Sequence, residues 1–255
     1  MIFCNLGSGS KGNSSLIKSS TTAILIDQGF SIKQLVYRMN LRGIDPREVE
    51  AIVLTHEHTD HVSGVAPFAR RYRVSVYMTR KTFETINQKK FYNVEVITFQ
   101  SGDTIKIGDI LVKTFHIPHD AADPIGLVVS SNGKSIGVLT DIGSPIESLL
   151  YHIRDVNLLL LESNHDVFML LNGPYPLNVI RRIKSRVGHL SNDQAVSFFS
   201  RIRDSGNLEY LVLGHLSETN NDPSLVRELF EGANHNDKIK IEIASQDLPT
   251  ALIEL

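Results

Sequence analysis

Short apolar runs that end at turns or polar residues alternate along this chain with segments in which apolar residues recur every three to four positions. The runs predict β-strands, and the periodic segments predict amphipathic helices. Strands are predicted at residues 23–26, 51–55, 74–78, 157–161, 210–213 and 239–244. Helices are predicted at residues 31–43, 61–72, 190–203 and 222–232. Strands in two blocks, with helices between them, favour an α/β fold of two packed sheets with helices outside.

Turn and capping residues support these boundaries. Gly108-Asp109 and Asn132-Gly133 each lie between two strand-like runs and predict β-hairpins. Ser191 begins a capping-box pattern at the start of the third predicted helix. No long linker or break in composition divides the chain, so we expect one domain spanning residues 1–255.

Composition limits the function classes. The 255 residues are 42% hydrophobic and 21% charged, as in an ordinary globular protein. The net charge of −2 excludes a general attraction to nucleic acid, so polyanion binding would depend on a local patch or on metals. Cys4 is the only cysteine, which excludes an intrachain disulfide and favours a reducing compartment. Without a signal-peptide pattern or an apolar run of membrane-spanning length, we expect a cytoplasmic protein with no membrane partner.

The segment His56-Glu57-His58-Thr59-Asp60-His61 carries the strongest chemical signal. It follows an apolar strand, and alternate side chains of an extended segment point the same way. His56 and His58 can therefore contact one cation, while Asp60 and His61 follow a turn and can reach a second. Imidazole nitrogen and carboxylate oxygen suit zinc, manganese or iron.

Other ligand-type residues follow three further strand-like runs. His116 and His119 come after the run that ends at residue 115, Asp141 after the run that ends at 140, and His215 after the run that ends at 213. A two-metal site needs about eight ligand positions, so the first motif alone is not enough. These strand ends supply candidates for the remaining positions.

The order His-x-His-x-Asp-His, His, Asp, His resembles the metallo-β-lactamase superfamily. Further motifs resemble its YycJ (WalJ) type over nearly the whole chain: LGSGSKGNS at 6–14, LIDQG at 25–29, LESNHD at 161–166, GPYP at 173–176, GHLSN at 188–192 and LGHLS at 213–217. The superfamily resemblance implies an αββα four-layer sandwich, in which two packed mixed β-sheets are flanked by helices. The YycJ type implies a DNA exonuclease that degrades from the 5′ end, with a proposed link to mismatch repair.

The same resemblance implies two divalent metal ions per chain, zinc or manganese, and assigns their ligands. One metal would be held by His56, His58 and His119. The other would be held by Asp60, His61 and His215. Asp141 would bridge the two metals, and Asp27 would lie behind the ligands and orient them.

Two positions qualify this resemblance. His119 is preferred to His116 as a ligand because HDA at 119–121, followed by DPIG at 123–126, matches the YycJ type. Gln28 departs from that type, because a cysteine or another small residue is expected there.

Two divalent cations, two aspartates and a bridging hydroxide would leave a positively charged site, which favours a phosphodiester substrate. A metal-bound hydroxide would attack phosphorus, because the metals lower the pKa of bound water. His189 would assist the leaving group and Glu162 would orient it, a pairing similar to the tRNA 3′-processing ribonuclease branch. Glu162, His189 and Asp60 are the predicted catalytic residues. The alternative for His189 is that it braces the following helix, and the role of His165 stays open.

Substrate-binding candidates lie directly before His189. Arg181, Arg182, Lys184 and Arg186 could bind backbone phosphates, although a short basic run is more often a solvated helix face. Asn220, after His215, is a further candidate. Residues 8–13 predict a tight loop near the metals.

The sequence therefore predicts a dinuclear-metal phosphodiesterase, specifically a 5′-to-3′ DNA exonuclease with DNA as its partner and a role in DNA repair. The alternative, with the same metals, is a hydrolase of small molecules such as a cyclic phosphodiester, lactone or thioester. A non-enzymatic regulator is disfavoured, because no ligand position is missing. Metal identity, strand preference and oligomeric state stay open.

Overall fold

Two seven-stranded β-sheets pack face to face in the computed structural model, which describes residues 1–235 and 238–255. The first sheet has the spatial order β14 (Ile253–Glu254), β1 (Ile2–Gly7), β2 (Ser14–Lys18), β3 (Ala23–Ile26), β4 (Val49–Val53), β5 (Ser75–Thr79) and β6 (Val96–Phe99). The second has the order β13 (Lys240–Ile243), β12 (Tyr210–Gly214), β11 (Leu158–Glu162), β10 (Lys134–Leu139), β9 (Ile125–Ser131), β8 (Ile110–His116) and β7 (Thr104–Ile107). Both sheets contain parallel and antiparallel pairs.

Helices cover the outer faces of the sheets. They are α1 (Ile32–Asn40), α2 (Thr59–Val62), α3 (Val65–Tyr72), α4 (Arg80–Thr85), α5 (Glu147–Ile153), α6 (Val167–Asn172), α7 (Leu177–Ile183), α8 (Asn192–Ile202) and α9 (Pro223–Ala233). Leu35 of α1 and Phe68 of α3 pack in one core cluster with Ile52 of the first sheet. Phe199 of α8 packs with Leu159 of the second sheet. Among the described residues, every helix is too short or too polar to span a bilayer.

Strand β11 shows how the layers are built. Leu158 and Leu160 belong to the core between the two sheets, whereas Leu159 and Leu161 pack with the helices outside. Because alternate side chains point to opposite faces, a strand covered on both faces needs an apolar residue at every position. The two packed sheets flanked by helices are thus confirmed.

The parallel strands place the site. β3 to β6 run parallel in the first sheet, and β10 to β13 run parallel in the second. Carboxyl ends of parallel strands meet at one edge of a sheet, where ligands bind in many α/β proteins. The polar residues that follow β3, β4, β10, β11 and β12 therefore converge at one end of the sandwich.

Some predicted boundaries differ from the structure. The helix predicted at 61–72 is divided into α2 and α3 around Ser63-Gly64. A Cβ on Gly64 would lie 1.9 Å from the backbone oxygen of Phe30, so the break allows close packing against that neighbouring loop. Strand β4 ends at Val53, two residues earlier than predicted. The patterns also did not locate the hairpin of β1 and β2, the strands β6 and β14, or helices α4 to α7.

Candidate metal centre

Three residues at strand ends have left-handed backbone conformations. Asp27 follows β3 with φ 58°, Asp141 follows β10 with φ 58°, and His215 follows β12 with φ 56°. Non-glycine residues rarely adopt this conformation, which clusters at functional sites, and Asp tolerates it better than most. All three side chains are buried at the end of the sandwich where the polar residues converge.

The first ligand cluster contains His56, His58 and His119, whose ligand atoms lie within 4.8 Å of one another. His119 Nδ1 lies 3.2 Å from the carbonyl oxygen of Gly188, to which it can donate, so its Nε2 is presented to the centre. That Nε2 lies 3.2 Å from His58 Nδ1. The three rings converge on one point.

The second cluster contains Asp60, His61 and His215. Asp60 Oδ2 lies 3.4 Å from His61 Nε2 and 3.5 Å from His215 Nε2. The Nδ1 atoms of both rings face carboxylates, at 2.8 Å from Asp27 for His61 and at 3.1 Å from Glu162 for His215. A carboxylate behind each ring holds its Nε2 toward the centre, as is common for histidines that bind metals.

Asp141 lies between the two clusters. Its Oδ2 is 3.2 Å from His61 Nε2, and its Oδ1 is 3.4 Å from His215 Nε2 and 3.8 Å from His119 Nε2. The side chain can therefore reach both ligand sets. This is the geometry that a bridging carboxylate needs.

The charges of the centre are strongly coupled. Burial disfavours the carboxylate of Asp141, but His215 and His61 outweigh that effect and lower its pKa well below the usual value. Burial also disfavours protonated His61 and His215, yet Asp141 raises the pKa of each well above the ordinary histidine value. In His56 burial prevails and lowers the pKa, so this ring is neutral and its nitrogen is free to coordinate.

Two buried atoms support a cation at this site. His56 Nε2 and Asp141 Oδ2 are inaccessible to solvent and have no hydrogen-bond partner among the described residues. Buried polar atoms without partners are costly, and each here faces other ligand-type groups. Imidazole nitrogens and carboxylate oxygens form a donor set that fits divalent zinc or manganese.

Asp27 connects the supports of both clusters. Besides His61 Nδ1, it accepts hydrogen bonds from the backbone N–H of Thr55 at 2.8 Å and from the Thr55 hydroxyl at 2.9 Å. The Thr55 hydroxyl lies in turn 3.0 Å from His56 Nδ1. One carboxylate thereby orients a histidine in each ligand set.

Asp27→Asn should weaken both the fold and the metal site. Asparagine tolerates the left-handed backbone, so the change chiefly removes the charge that faces His61. We expect a loss of about 1 to 3 kcal/mol in the free energy of unfolding and about 10–100-fold weaker metal binding. Urea unfolding and competition with a chelating dye measure the two effects. With Asp155→Asn as the exposed control, equal metal affinity in both variants would contradict this role for Asp27.

Glu162 and His189 form a second polar pair beside Asp141. Glu162 is fully buried, and its Oε1 lies 2.7 Å from His189 Nδ1. Its Oε2 accepts hydrogen bonds from the backbone N–H of Ile142 at 2.8 Å and of Leu190 at 3.2 Å. Burial lowers the pKa of His189, but the facing Glu162 carboxylate outweighs it, so that pKa is raised. The pair therefore favours the protonated form of His189.

His189 opens onto a cavity of about 400 Å³, here called the His189 cavity. Its lining includes Ser10, Tyr175, Arg182 and His215. His189 retains 20% of its side-chain exposure, so a substrate in the cavity can contact the ring.

The candidate substrate-binding residues differ in whether they line this cavity. Arg182 lines the His189 cavity, and its Nε lies 2.5 Å from Asp120 Oδ2. Arg181 and Lys184 are exposed on or just after α7 but do not line this cavity. Asn220 is 0% exposed, and a Cβ on Gly173 would lie 2.5 Å from its Oδ1. Asn220 is therefore enclosed by the loop around Gly173 and cannot contact a substrate in this conformation.

The three other candidate histidines, His119, His116 and His165, lie in different environments. His119 enters the centre, whereas His116 has 63% side-chain exposure and lies 3.9 Å from Asp123. His165 is buried and pairs through its backbone with Ser191, at the start of α8. Burial lowers its pKa to about 4.

Gln28 is also buried. Its side chain forms hydrogen bonds with the backbone N–H and the carbonyl of Phe30, which explains why a larger residue fits at this position.

Asn13 and Asp120 are polar residues of the site that were not predicted. Asn13 Nδ2 lies 3.1 Å from Asp60 Oδ2 and 3.0 Å from His61 Nε2. Asp120 Oδ1 is 3.5 Å from His119 Nε2. Asn13 belongs to the Gly/Ser-rich loop expected near the metals, and Asp120 directly follows a predicted ligand. These two sequence positions were the signals that could have identified Asn13 and Asp120 as site residues.

Comparison with known proteins agrees with this fold. A family model described as Beta-lactamase superfamily domain matches residues 22–215. The chain is 34% identical over 221 residues to the exodeoxyribonuclease WalJ of Streptococcus pneumoniae serotype 2, with 85% of this chain and 81% of that protein covered. It is 34% identical over 229 residues to the exodeoxyribonuclease YycJ of Bacillus anthracis, with 88% and 86% covered. The crystal structure of Zn²⁺-bound PqqB from Methylobacterium extorquens has a TM-score of 0.76 at 17% identity, over 100% of both chains.

The chain belongs to the metallo-β-lactamase-fold superfamily. It is a metal-dependent hydrolase, and its predicted resemblance to the YycJ (WalJ) type is confirmed by two exodeoxyribonuclease relatives that match most of its length.

Proposed function

We propose that this protein is a dinuclear-metal phosphodiesterase that degrades DNA from the 5′ end and serves DNA repair. The observation that carries the proposal is the position of Asp141 between two three-residue ligand sets, beside the Glu162–His189 pair. Both exodeoxyribonuclease relatives support DNA as the substrate. The core between the two sheets joins residues from nearly the whole chain, which supports one domain spanning 1–255.

The ligand residues have distinct roles in this proposal. His56, His58 and His119 would hold one divalent metal, Asp60, His61 and His215 would hold the other, and Asp141 would serve both from its place between the two sets. When bound, such cations lower the pKa of water and neutralise charge that develops on phosphoryl oxygens. Asp27 and Glu162 keep the ring nitrogens of His61 and His215 aimed at the centre.

His189 supplies a proton to the leaving oxygen. The Glu162 carboxylate stabilises its protonated form and fixes the ring at Nδ1, which leaves Nε2 as the donor. His189 Nδ1 lies only 3.8 Å from Asp141 Oδ1, so the ring borders the two ligand sets. A phosphodiester held there would have its leaving oxygen near the ring.

DNA phosphates contact the basic side chains on and after α7. Arg182 lines the His189 cavity and is positioned by Asp120, which also lies beside His119. Arg181 and Lys184 extend the positive charge outside the cavity. Arginine binds phosphate oxygens with directed N–H groups, so Arg182 can position the strand.

Digestion of linear DNA labelled at the 5′ or the 3′ end tests the proposal. With manganese or zinc, we expect early release of the 5′ label and slow loss of the 3′ label. A chelator, or His58→Ala, should remove metal and cleavage together. Absence of cleavage by a protein that carries bound metal would contradict the nuclease function and favour a small phosphodiester, lactone or thioester as substrate.

A further inference from the structure

A second cavity, of about 480 Å³, adjoins the metal centre on the other side of the histidine motif. Glu57 and Thr59 line this cavity, here called the Glu57 cavity, whereas His56, His58 and Asp60 belong to the ligand clusters. Alternate residues of one short segment thus contribute to the two sites.

The lining of the Glu57 cavity combines apolar and basic side chains. Val62, Ala66, Pro67, Ile86 and Phe91 are its apolar residues. Arg70, Asn87 and Lys90 are the basic and amide groups of the lining. An apolar and aromatic surface beside basic groups suits a nucleotide, whose base packs on apolar atoms while its phosphate contacts the cations. Glu57 Oε1 accepts a hydrogen bond from the backbone N–H of Ala122 at 2.7 Å.

The cavity is embedded in the most basic part of the chain. Residues 65–91, here called the basic segment, run from α3 to a 3₁₀ turn at Gln88–Phe91. They contain seven basic residues and one acidic residue, Glu84, a net charge of +6, whereas the whole chain has a net charge of −2. The seven are Arg70, Arg71, Arg73, Arg80, Lys81, Lys89 and Lys90. A local patch of this size attracts polyanions even when the whole protein does not.

These basic side chains form no ion pair within the described part of the chain. All seven are exposed, and across residues 1–235 and 238–255 no ion pair involves any of them. Arg70 donates instead to the backbone carbonyl of Lys90. That contact joins α3 to the 3₁₀ turn across the cavity and positions Lys90 in the lining.

We propose that the basic segment and the Glu57 cavity bind the DNA strand next to the scissile phosphodiester, at a surface separate from the His189 cavity that Arg182 lines. This inference rests on the proposed function and adds a binding surface to it. One unstacked nucleotide occupies the cavity, and the basic segment contacts the phosphates that follow. The occupant is the DNA of the proposed function, whose regularly charged backbone is complementary to the surplus of positive charge.

Lys89→Gln/Lys90→Gln tests this surface, with Lys106→Gln/Lys113→Gln as the matched control. Both double variants remove two exposed charges, but the control residues lie on β7 and β8 of the second sheet, outside the basic segment. The probe is a fluorescent single-stranded oligonucleotide, with binding measured by anisotropy in chelator over a range of salt. We expect Kd at low salt to rise about tenfold or more and the salt slope to fall by about 1 to 2 in the first variant. The control should change Kd by less than about twofold.

The outcomes separate the inference from the proposed function. Wild-type protein that neither binds nor cuts DNA would overturn both. If the wild-type protein binds and cuts DNA, and both double variants have the same Kd and salt slope, only the proposed DNA binding by the basic segment would be overturned. Unchanged melting temperature and metal content in the first variant exclude misfolding as the cause of weaker binding, and a raised KM for DNA then supports the proposal.

Discussion

His119→Ala should abolish hydrolysis, whereas His116→Ala should leave it near the wild-type rate. The two histidines lie three residues apart, but only His119 places its Nε2 beside His58 and Asp141. Its loss removes a ligand of the first cluster, and losing a ligand should exceed the 10–100-fold cost typical of losing a group that supports one. We expect DNA hydrolysis to fall about 10³-fold or more.

Metal analysis decides whether that loss has the proposed cause. His119→Ala should bind less metal than wild-type protein after identical loading, whereas His116→Ala should bind the same amount. Both variants should keep a cooperative unfolding transition, because the core clusters do not depend on either ring. A His119→Ala protein with full metal content and normal turnover would refute the assignment, as would an inactive His116→Ala protein.

His189→Ala should keep its metals and lose about 10²–10⁴-fold in kcat on DNA, the range typical of general acid catalysis. The ligand sets do not require His189, so metal content should not change. The loss should be much smaller for an aryl phosphodiester, because a good leaving group needs little protonation. Equal losses on both substrates would contradict leaving-group assistance and favour a role in bracing α8.

The pH dependence supplies a second readout for the same group. The pKa of His189 is raised by Glu162 despite burial, so the ring is protonated below that raised value and loses its proton above it. If the protonated ring is the acid, kcat of the wild-type enzyme should fall as pH rises through this pKa. His189→Ala should lack this falling limb. A limb that survives unchanged would assign the titration to another group.

The structure also explains which parts of the site were accessible to sequence reasoning. Ligand spacing in residues 56–61 is local, because the conformation of one short segment determines where its side chains point. The apolar runs that precede Asp27, Asp141 and His215 mark strand ends for the same reason. The predicted ligands thus meet in two clusters at one end of the sandwich.

Asn220 and Asn13 show where that reasoning fails. Asn220 follows a predicted ligand closely in sequence, yet the loop around Gly173 encloses it. Asn13 is far from residues 60 and 61 in sequence, yet its amide contacts both Asp60 and His61. Whether a polar side chain is enclosed or presented depends on how distant loops pack, which local patterns do not encode.

By itself, the sequence predicted the two-sheet architecture and the candidate ligand and Glu162–His189 residues, because periodicity and residue chemistry are local properties, and the family resemblance assigned those ligands to two metals. Only the tertiary structure gave the distances that place Asp141 between both clusters and the contact of Asp120 with Arg182. It also brought the basic segment to the other side of residues 56–61. Those relations join residues that are distant along the chain, and the packing of two sheets and their helices sets the distances between them.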